Sequence, residues 1–465
     1  MTIAEKYWSQ GQACFVPSAL GDHVVIPPNE SEWLFEQTDS AVSDTVNLNN
    51  ELQAEATIGE PFMVHAPTVR GIITRDLTKN LSALTSDIFD ELSTAVDEAW
   101  GIDTQEWKEV NPFTTLLGII ARTSNRAYVG PQLCRNEKLI HSALSYSATL
   151  FPCSIAIRHV PQPLRPLVSP LITIYNQYHR RTISNIIKPE VERRLAELNI
   201  HHSDPEKPSQ PRNDFLQWLI EAALKSNNPY DLKPHIITQR MIILQFVTMY
   251  PISNSATDAL YDIISQPNSA SILSVLRNET NDTFAAHNNT WSKRAVNKLH
   301  KLDSCLKESL RLAPVVAFGS GRYVLAKGGL TTPLSKTYLP EGCTVAIPSV
   351  AIHSDPANYD GPTTYKPFRF AERHEGATTE NPSPTNSNIR DSLTATSPLS
   401  TSFGHGRFAC PGRFFAADQM KMLFAYIIRN YDFEYLPARP GRMWVGPFNV
   451  APMRDKIRVR RREKR

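Results

Sequence analysis

The residues with the clearest chemical potential fall within ten positions, Phe403-Gly404-His405-Gly406-Arg407-Phe408-Ala409-Cys410-Pro411-Gly412. One cysteine stands among three glycines, immediately ahead of an apolar-periodic run from Arg413 to Asn430. Gly404 and Gly406 permit φ > 0, so the backbone can curl and aim several N–H groups at one atom. Pro411 falls at the first position of the predicted helix, where its missing N–H costs nothing. Cys410 is therefore expected at a helix N-terminus, where the positive end of the dipole favours a thiolate over a thiol. A sulfur anion held by amide donors is suited to ligate a haem iron from one side.

A second constellation lies upstream. In Lys307-Glu308-Ser309-Leu310-Arg311, Glu308 and Arg311 are three apart and share one helix face. Alone, such a pair occurs on any charged helix. Pro367-Phe368-Arg369-Phe370 follows, still ahead of the cysteine loop.

The elements that must position these residues are mostly helical. Val69–Trp100 and Phe113–Thr149 carry helical periodicity, the latter broken at Val129-Gly130-Pro131. Ile236–Gln266 is the longest apolar-periodic run, roughly 46 Å if helical throughout. Its Pro251 removes one backbone donor and is expected to kink it. Short strands are expected around Gly342–Asp355, Phe433–Tyr435 and Lys456–Val459. Glu375–Ser402 is rich in Ser, Thr, Asn and Pro and reads as a mobile insertion loop (375–402); Arg460–Arg465 reads as a basic, unstructured tail.

Composition excludes several classes. Hydrophobic residues at 41% and charged residues at 20% describe a globular chain with a large core. The net charge of +3 gives no case for nucleic acid as a partner. Six scattered cysteines point to free thiols, not a disulfide framework or zinc site. No phosphate-binding loop, dinucleotide fingerprint or His-Glu-x-x-His occurs.

The cysteine loop resembles the haem signature of the cytochrome P450 superfamily, Phe-x-x-Gly-x-(Arg or His)-x-Cys-x-Gly, matched by Phe403, Gly406, Cys410 and Gly412. Phe408 departs from it, standing where the family puts a cation for a haem propionate. The second constellation resembles the family's Glu-x-x-Arg and Pro-x-Arg-Phe motifs, which implies a buried structural triad of Glu308, Arg311 and Arg369. The fold implied is mainly α: a single triangular helical domain (1–465) with a long central helix over the haem and a small β region. The segment 1–60 would then follow a membrane anchor; Met1–Gln53 has no apolar run of that kind, which leaves open whether one precedes it.

The resemblance implies haem b, with Cys410 ligating iron and Phe403, Gly404, Gly406, Arg407, Phe408 and Gly412 forming its cradle. Arg322 is the first candidate for the propionates, with Arg75 and His353 behind it. In the central helix the register is Val247-Thr248-Met249-Tyr250-Pro251, so Tyr250 and Pro251 occupy the family's acid and alcohol positions. Thr248 or Ser253 would supply the hydroxyl if the register shifts. Val247, Val315, Val316 and Phe318 are the expected substrate-pocket residues. The implied function is monooxygenation of a hydrophobic small molecule, of terpenoid or alkaloid type, in fungal secondary metabolism. Electrons would come from NADPH-cytochrome P450 reductase, with membrane contact at the cytosolic face of the endoplasmic reticulum. Tyr250-Pro251 keeps two other readings open: a peroxygenase, isomerase or cyclase, and a non-catalytic haem-binding protein.

Overall fold

The computed structural model describes residues 8, 10–59, 67–203, 212–226, 228–375 and 391–463. Helices dominate. The principal ones are α1 (Thr78–Trp100), α2 (Pro112–Tyr128), α3 (Glu137–Arg158), α4 (Ile174–Ser203), α5 (Pro234–Ile264), α6 (His300–Leu312), α7 (Arg369–Glu375) and α8 (Arg413–Asn430). Local chemistry sets their starts. Asn111 caps α2 by accepting from the Thr114 amide at 3.0 Å, with Pro112 at the first helical position. Asn136 caps α3 in the same way through the Leu139 amide at 2.9 Å. Between them Gly130 takes φ +80°, which ends α2 and lets the chain reverse.

The central helix α5 spans 31 residues and runs through Pro251 without a break in its assignment. It is buried almost all round, between α2, α3 and α4 on one side and α6 and α8 on the other. One contiguous core runs through all of these helices and includes Trp100, Tyr128, Phe215, Tyr261 and Phe424.

A five-stranded sheet forms a second, smaller core. Its strands are β1 (Cys14–Val16), β2 (His23–Val25), β3 (Val42–Ser43), β4 (Gly319–Val324) and β5 (Thr344–Ile347), in the order β1-β2-β5-β4-β3. β2 runs parallel to β5, and the other pairs are antiparallel. Between Gly319 and Arg322 the β4–β5 register slips by one residue, with Ser320 at φ +54°. Such a bulge re-aims the following side chain. A hairpin of β6 (Met443–Val445) and β7 (Phe448–Val450) reaches back to Val316.

Two expectations are corrected. In the 375–402 stretch, residues 376–390 lie outside the described residues, but the remainder is packed. The Leu393 amide donates to Asp303 at 2.5 Å, and the Tyr359 hydroxyl donates to the Leu399 carbonyl at 2.7 Å. Nor is the start of the basic tail free. Arg460 and Arg461 belong to strand Ile457–Arg461, and Arg462 pairs with Asp432 at 2.7 Å. Acidic partners at Asp97 and Asp432 hold what composition alone marks as a solvated run. Among the described residues α3 is the one helix long and apolar enough to cross a membrane by length and composition, and it packs against α4 and α5.

Candidate active site

Cys410 is held by its own loop. Its amide donates to the Phe403 carbonyl at 2.7 Å, and the Gly404 amide donates to Thr401 at 2.8 Å. Gly404 and Gly406 take φ +67° and +69°, the left-handed conformation that glycine adopts without strain. The helix starts later than expected, at Arg413 with Gly412 as its N-cap, so Pro411 belongs to the preceding turn. Burial pushes the Cys410 thiol up, opposed by the Gly412 amide and the charges of Arg413 and Arg70.

Behind the loop sits a buried ion cluster. Arg311 donates Nε and one terminal nitrogen to Glu308, both at 2.8 Å, in the bidentate geometry planar guanidinium favours. Arg369 Nε donates to the same carboxylate at 3.0 and 3.1 Å. Glu308 is fully buried, with Arg311 and Arg369 nearly so. The spare guanidinium donors reach backbone carbonyls of His353, Pro362 and Asp360. From there the connection runs to the cysteine loop. His353 Nδ1 bonds the Arg311 carbonyl at 3.1 Å, its Nε2 accepts from the Thr401 amide at 3.0 Å, and Ser402 Oγ donates to Leu310.

Phe408, the departure from the motif, is surrounded by cations. The guanidinium carbons of Arg322, Arg407 and Arg70 lie 4.3, 4.9 and 5.5 Å from its ring centroid. Arg70 also pairs with Asp44 at 3.1 Å, and Arg407 with Asp39 at 3.5 Å. Arg322 differs. It is 4% exposed, and among the described residues its Nε has no partner and its one hydrogen bond goes to the neighbouring Gly321 carbonyl at 2.9 Å. Burial lowers its pKa to about 10. Arg75 is elsewhere: 71% exposed, it binds only its neighbour Asp76 among the described residues, because it projects from the solvent face of its turn. His353 is placed with the ion cluster, both nitrogens engaged, and is not among the residues lining the cavity over Cys410.

The cavity over Cys410 has a volume of about 300 Å³. Its floor is Phe403, Cys410, Gly412 and Phe415, and its roof is the α5 face carrying Leu244, Val247, Thr248, Pro251, Ile252 and Ser255. Tyr250 is not on that face. Successive helical residues are about 100° apart, so the residue before Pro251 points elsewhere. Tyr250 lines an adjoining apolar cavity of about 510 Å³ with Phe113, Phe151, Phe246 and Phe448. Its hydroxyl reaches the Leu144 carbonyl at 3.4 Å. Ser253 is also turned away, donating to Met249 at 2.7 Å. Val247, Pro251 and Val315 border both cavities. Val316 and Phe318 line neither. Val316 bridges to Phe448, and the Phe318 ring meets His23 at 5.1 Å, because the chain reverses into β4 there.

Two residues at this site escape sequence reasoning. Tyr128, the last residue of α2, borders the Cys410 cavity and bonds Thr248 at 3.0 Å. Nothing local marks it, since its partner is 120 positions away. Arg70 had a weak signal as one of several cations on a helical run, but only the fold places it against Phe408.

Comparison with known proteins accounts for this arrangement. Residues 64–453 match the Cytochrome P450 family model. Cytochrome P450 monooxygenase gloP of Glarea lozoyensis is 32% identical over 474 residues, covering 99% of this chain and 83% of that protein. Cytochrome P450 monooxygenase trt6 of Aspergillus terreus is 31% identical, covering 95% and 86%. Among solved structures, the retinoic acid bound cyanobacterial CYP120A1 superposes with a TM-score of 0.70 at 18% identity, over 99% of this chain and 93% of that one. The chain belongs to the cytochrome P450 family and has its fold, and membership implies a haem cofactor. The residues fit such a group. A thiol stands in an apolar cavity, where a positive metal would favour its thiolate. Stacked on Phe408 of the same loop, the buried Arg322 has an Nε without a partner among the described residues, and an added anion there would offset its burial.

Proposed function

We propose that this cytochrome P450 is a monooxygenase that oxidises a hydrophobic small molecule in fungal secondary metabolism. Haem b would be held by Cys410 as its iron ligand, and Arg322 and Arg70 would meet its propionates. When bound, the haem supplies oxygen activation, and the thiolate raises electron density at the iron. The chain's own part is positioning and exclusion of water. Glu308, Arg311 and Arg369 fix the loop, Phe403 and Phe415 wall the cavity, and the aromatic chamber beside Pro251 receives the substrate. That chamber is lined mostly by apolar side chains, which supports a terpenoid-like or alkaloid-like substrate class.

Electrons would come from NADPH-cytochrome P450 reductase. Leu164, Leu167, Leu171, Ile174, Tyr175 and Tyr178 are all exposed within one short stretch, which supports contact with the cytosolic face of the endoplasmic reticulum membrane.

The carrying observation is the juxtaposition of Cys410, the apolar cavity and the unpaired buried Arg322. The test is the carbon monoxide spectrum of the reduced protein. Wild type is expected to give the thiolate-ligated band, and Cys410→Ala to lose it entirely. Retention of that band in Cys410→Ala would refute the assignment.

A further inference from the structure

The Tyr128 and Thr248 hydroxyls, 3.0 Å apart, form a pair in the wall of the Cys410 cavity. The direction of their protons follows from counting. Thr248 Oγ1 lies 2.7 Å from the Leu244 carbonyl, which can only accept, so the single Thr248 proton points there. The bond between the hydroxyls must then use the Tyr128 proton. Burial raises the phenol pKa and keeps that proton in place.

Both protons are thus committed within the wall. Lone pairs remain on the two oxygens, so the pair can accept hydrogen bonds but has none to donate. Among the described residues no neighbouring side chain donates to either oxygen: Gln245 Nε2 is directed at Asn125, 2.8 Å away, and Ser253 donates to its own helix. Pro251, one turn on along the same face, has no N–H at all. An acceptor facing an apolar cavity is costly unless a donor comes to it.

We propose that Tyr128 and Thr248 form a polar subsite that accepts a hydrogen bond from a hydroxyl on an otherwise apolar substrate, so that the enzyme takes hydrophobic alcohols in preference to hydrocarbons. This rests on the haem-thiolate reading above and narrows its substrate class. A reaction that installs the hydroxyl must then come earlier in the sequence that supplies the substrate.

The probes are 1-adamantanol and adamantane, one skeleton with and without the hydroxyl, titrated against haem-loaded protein by spectral shift or calorimetry. Wild type is expected to bind the alcohol roughly five-fold tighter than the hydrocarbon, as one neutral hydrogen bond gives. Thr248→Val should bring the ratio near one, Tyr128→Phe should lower it partway, and Thr248→Ser should retain it. A merely structural role would shift both affinities together and leave the ratio alone. A ratio near one in wild type, or a ratio unmoved by Thr248→Val, overturns the subsite. If Thr248→Val does not take up haem, the contrast of Tyr128→Phe with Thr248→Ser decides in its place. A normal carbon monoxide spectrum with an unmoved ratio defeats this inference alone; an absent thiolate band in wild type defeats the haem-thiolate reading and this one with it.

Discussion

The floor and the roof of the Cys410 cavity are built by opposite means. Below, a fully buried carboxylate receives two guanidinium groups, their remaining donors bind carbonyls of His353, Asp360 and Pro362, and the His353 ring carries the link on to Thr401 ahead of the cysteine loop. Above, one face of α5 carries Leu244, Val247, Thr248, Pro251, Ile252 and Ser255, and of these only Thr248 makes a cross-helix hydrogen bond among the described residues, to Tyr128. A floor held by directional, charge-assisted bonds has one geometry. A roof set by helix phase and packing can exchange side chains without moving the backbone. The floor therefore holds a ligand in place, while the roof can be tuned to a substrate.

The largest expected effect follows from breaking the floor. Glu308→Ala would leave two buried guanidinium groups facing each other without their anion. Removing one partner of a buried ion pair costs about 3–5 kcal/mol. The variant should melt far below wild type or fail to retain haem, as calorimetry and haem content would show. A normal melting temperature with full haem content would mean that packing, not charge, fixes the floor.

A gentler probe of the same wall is pH. His353 is buried beside Arg311, and these two causes hold its pKa down to about 3. Its Nε2 accepts from the Thr401 amide, so a proton there would set two donors against each other. The unfolded chain binds a proton below its ordinary pKa near 6.5, while the folded chain does not. Stability from this group is therefore fully present above pH 6.5. It falls as pH drops toward 3, by up to about 1.4 kcal/mol per unit. Melting temperatures of wild type and His353→Gln between pH 7.5 and 4.5 should diverge in slope, with the variant flatter. Parallel profiles would remove His353 from the link between α6 and the loop.

The same contrast explains what could be read from the chain. Cys410, Glu308, Arg311 and Arg369 were legible because charge pairs and a tight loop demand particular residue types at fixed spacing. The family, the helical fold and the long central helix were legible for a similar reason, since periodicity sustained over many turns admits few alternatives. Arg75 and Tyr250 were misplaced because helix phase decides which side chain faces a cavity, and one residue turns that choice by about 100°. Tyr128 was invisible because its meaning lies in Thr248, on another helix. Asp391–Ser402 looked solvated by composition, yet it is packed through backbone donors and acceptors that no side-chain pattern records.

The smallest expected effect concerns Pro251, which has no N–H for the Val247 carbonyl and no hydroxyl for the cavity. Pro251→Thr would add both on a face that already lines the Cys410 cavity. With a hydroxyl able to donate and accept beside Thr248, the proposed oxygenation should deliver more of its reducing equivalents to product and fewer to peroxide. One neutral hydrogen bond is worth about 1 kcal/mol, or roughly a five-fold change in that partition. Pro251→Ala separates the two restored groups, because it returns the N–H without the hydroxyl. If alanine raises product yield as much as threonine, the benefit comes from relieving the helix. If neither changes it, proton handling at the roof does not depend on position 251, and the comparison of the walls loses its functional half. A rise with threonine alone would show that the roof lacks a donor at this position, and that the floor can stay unchanged while the roof sets the chemistry.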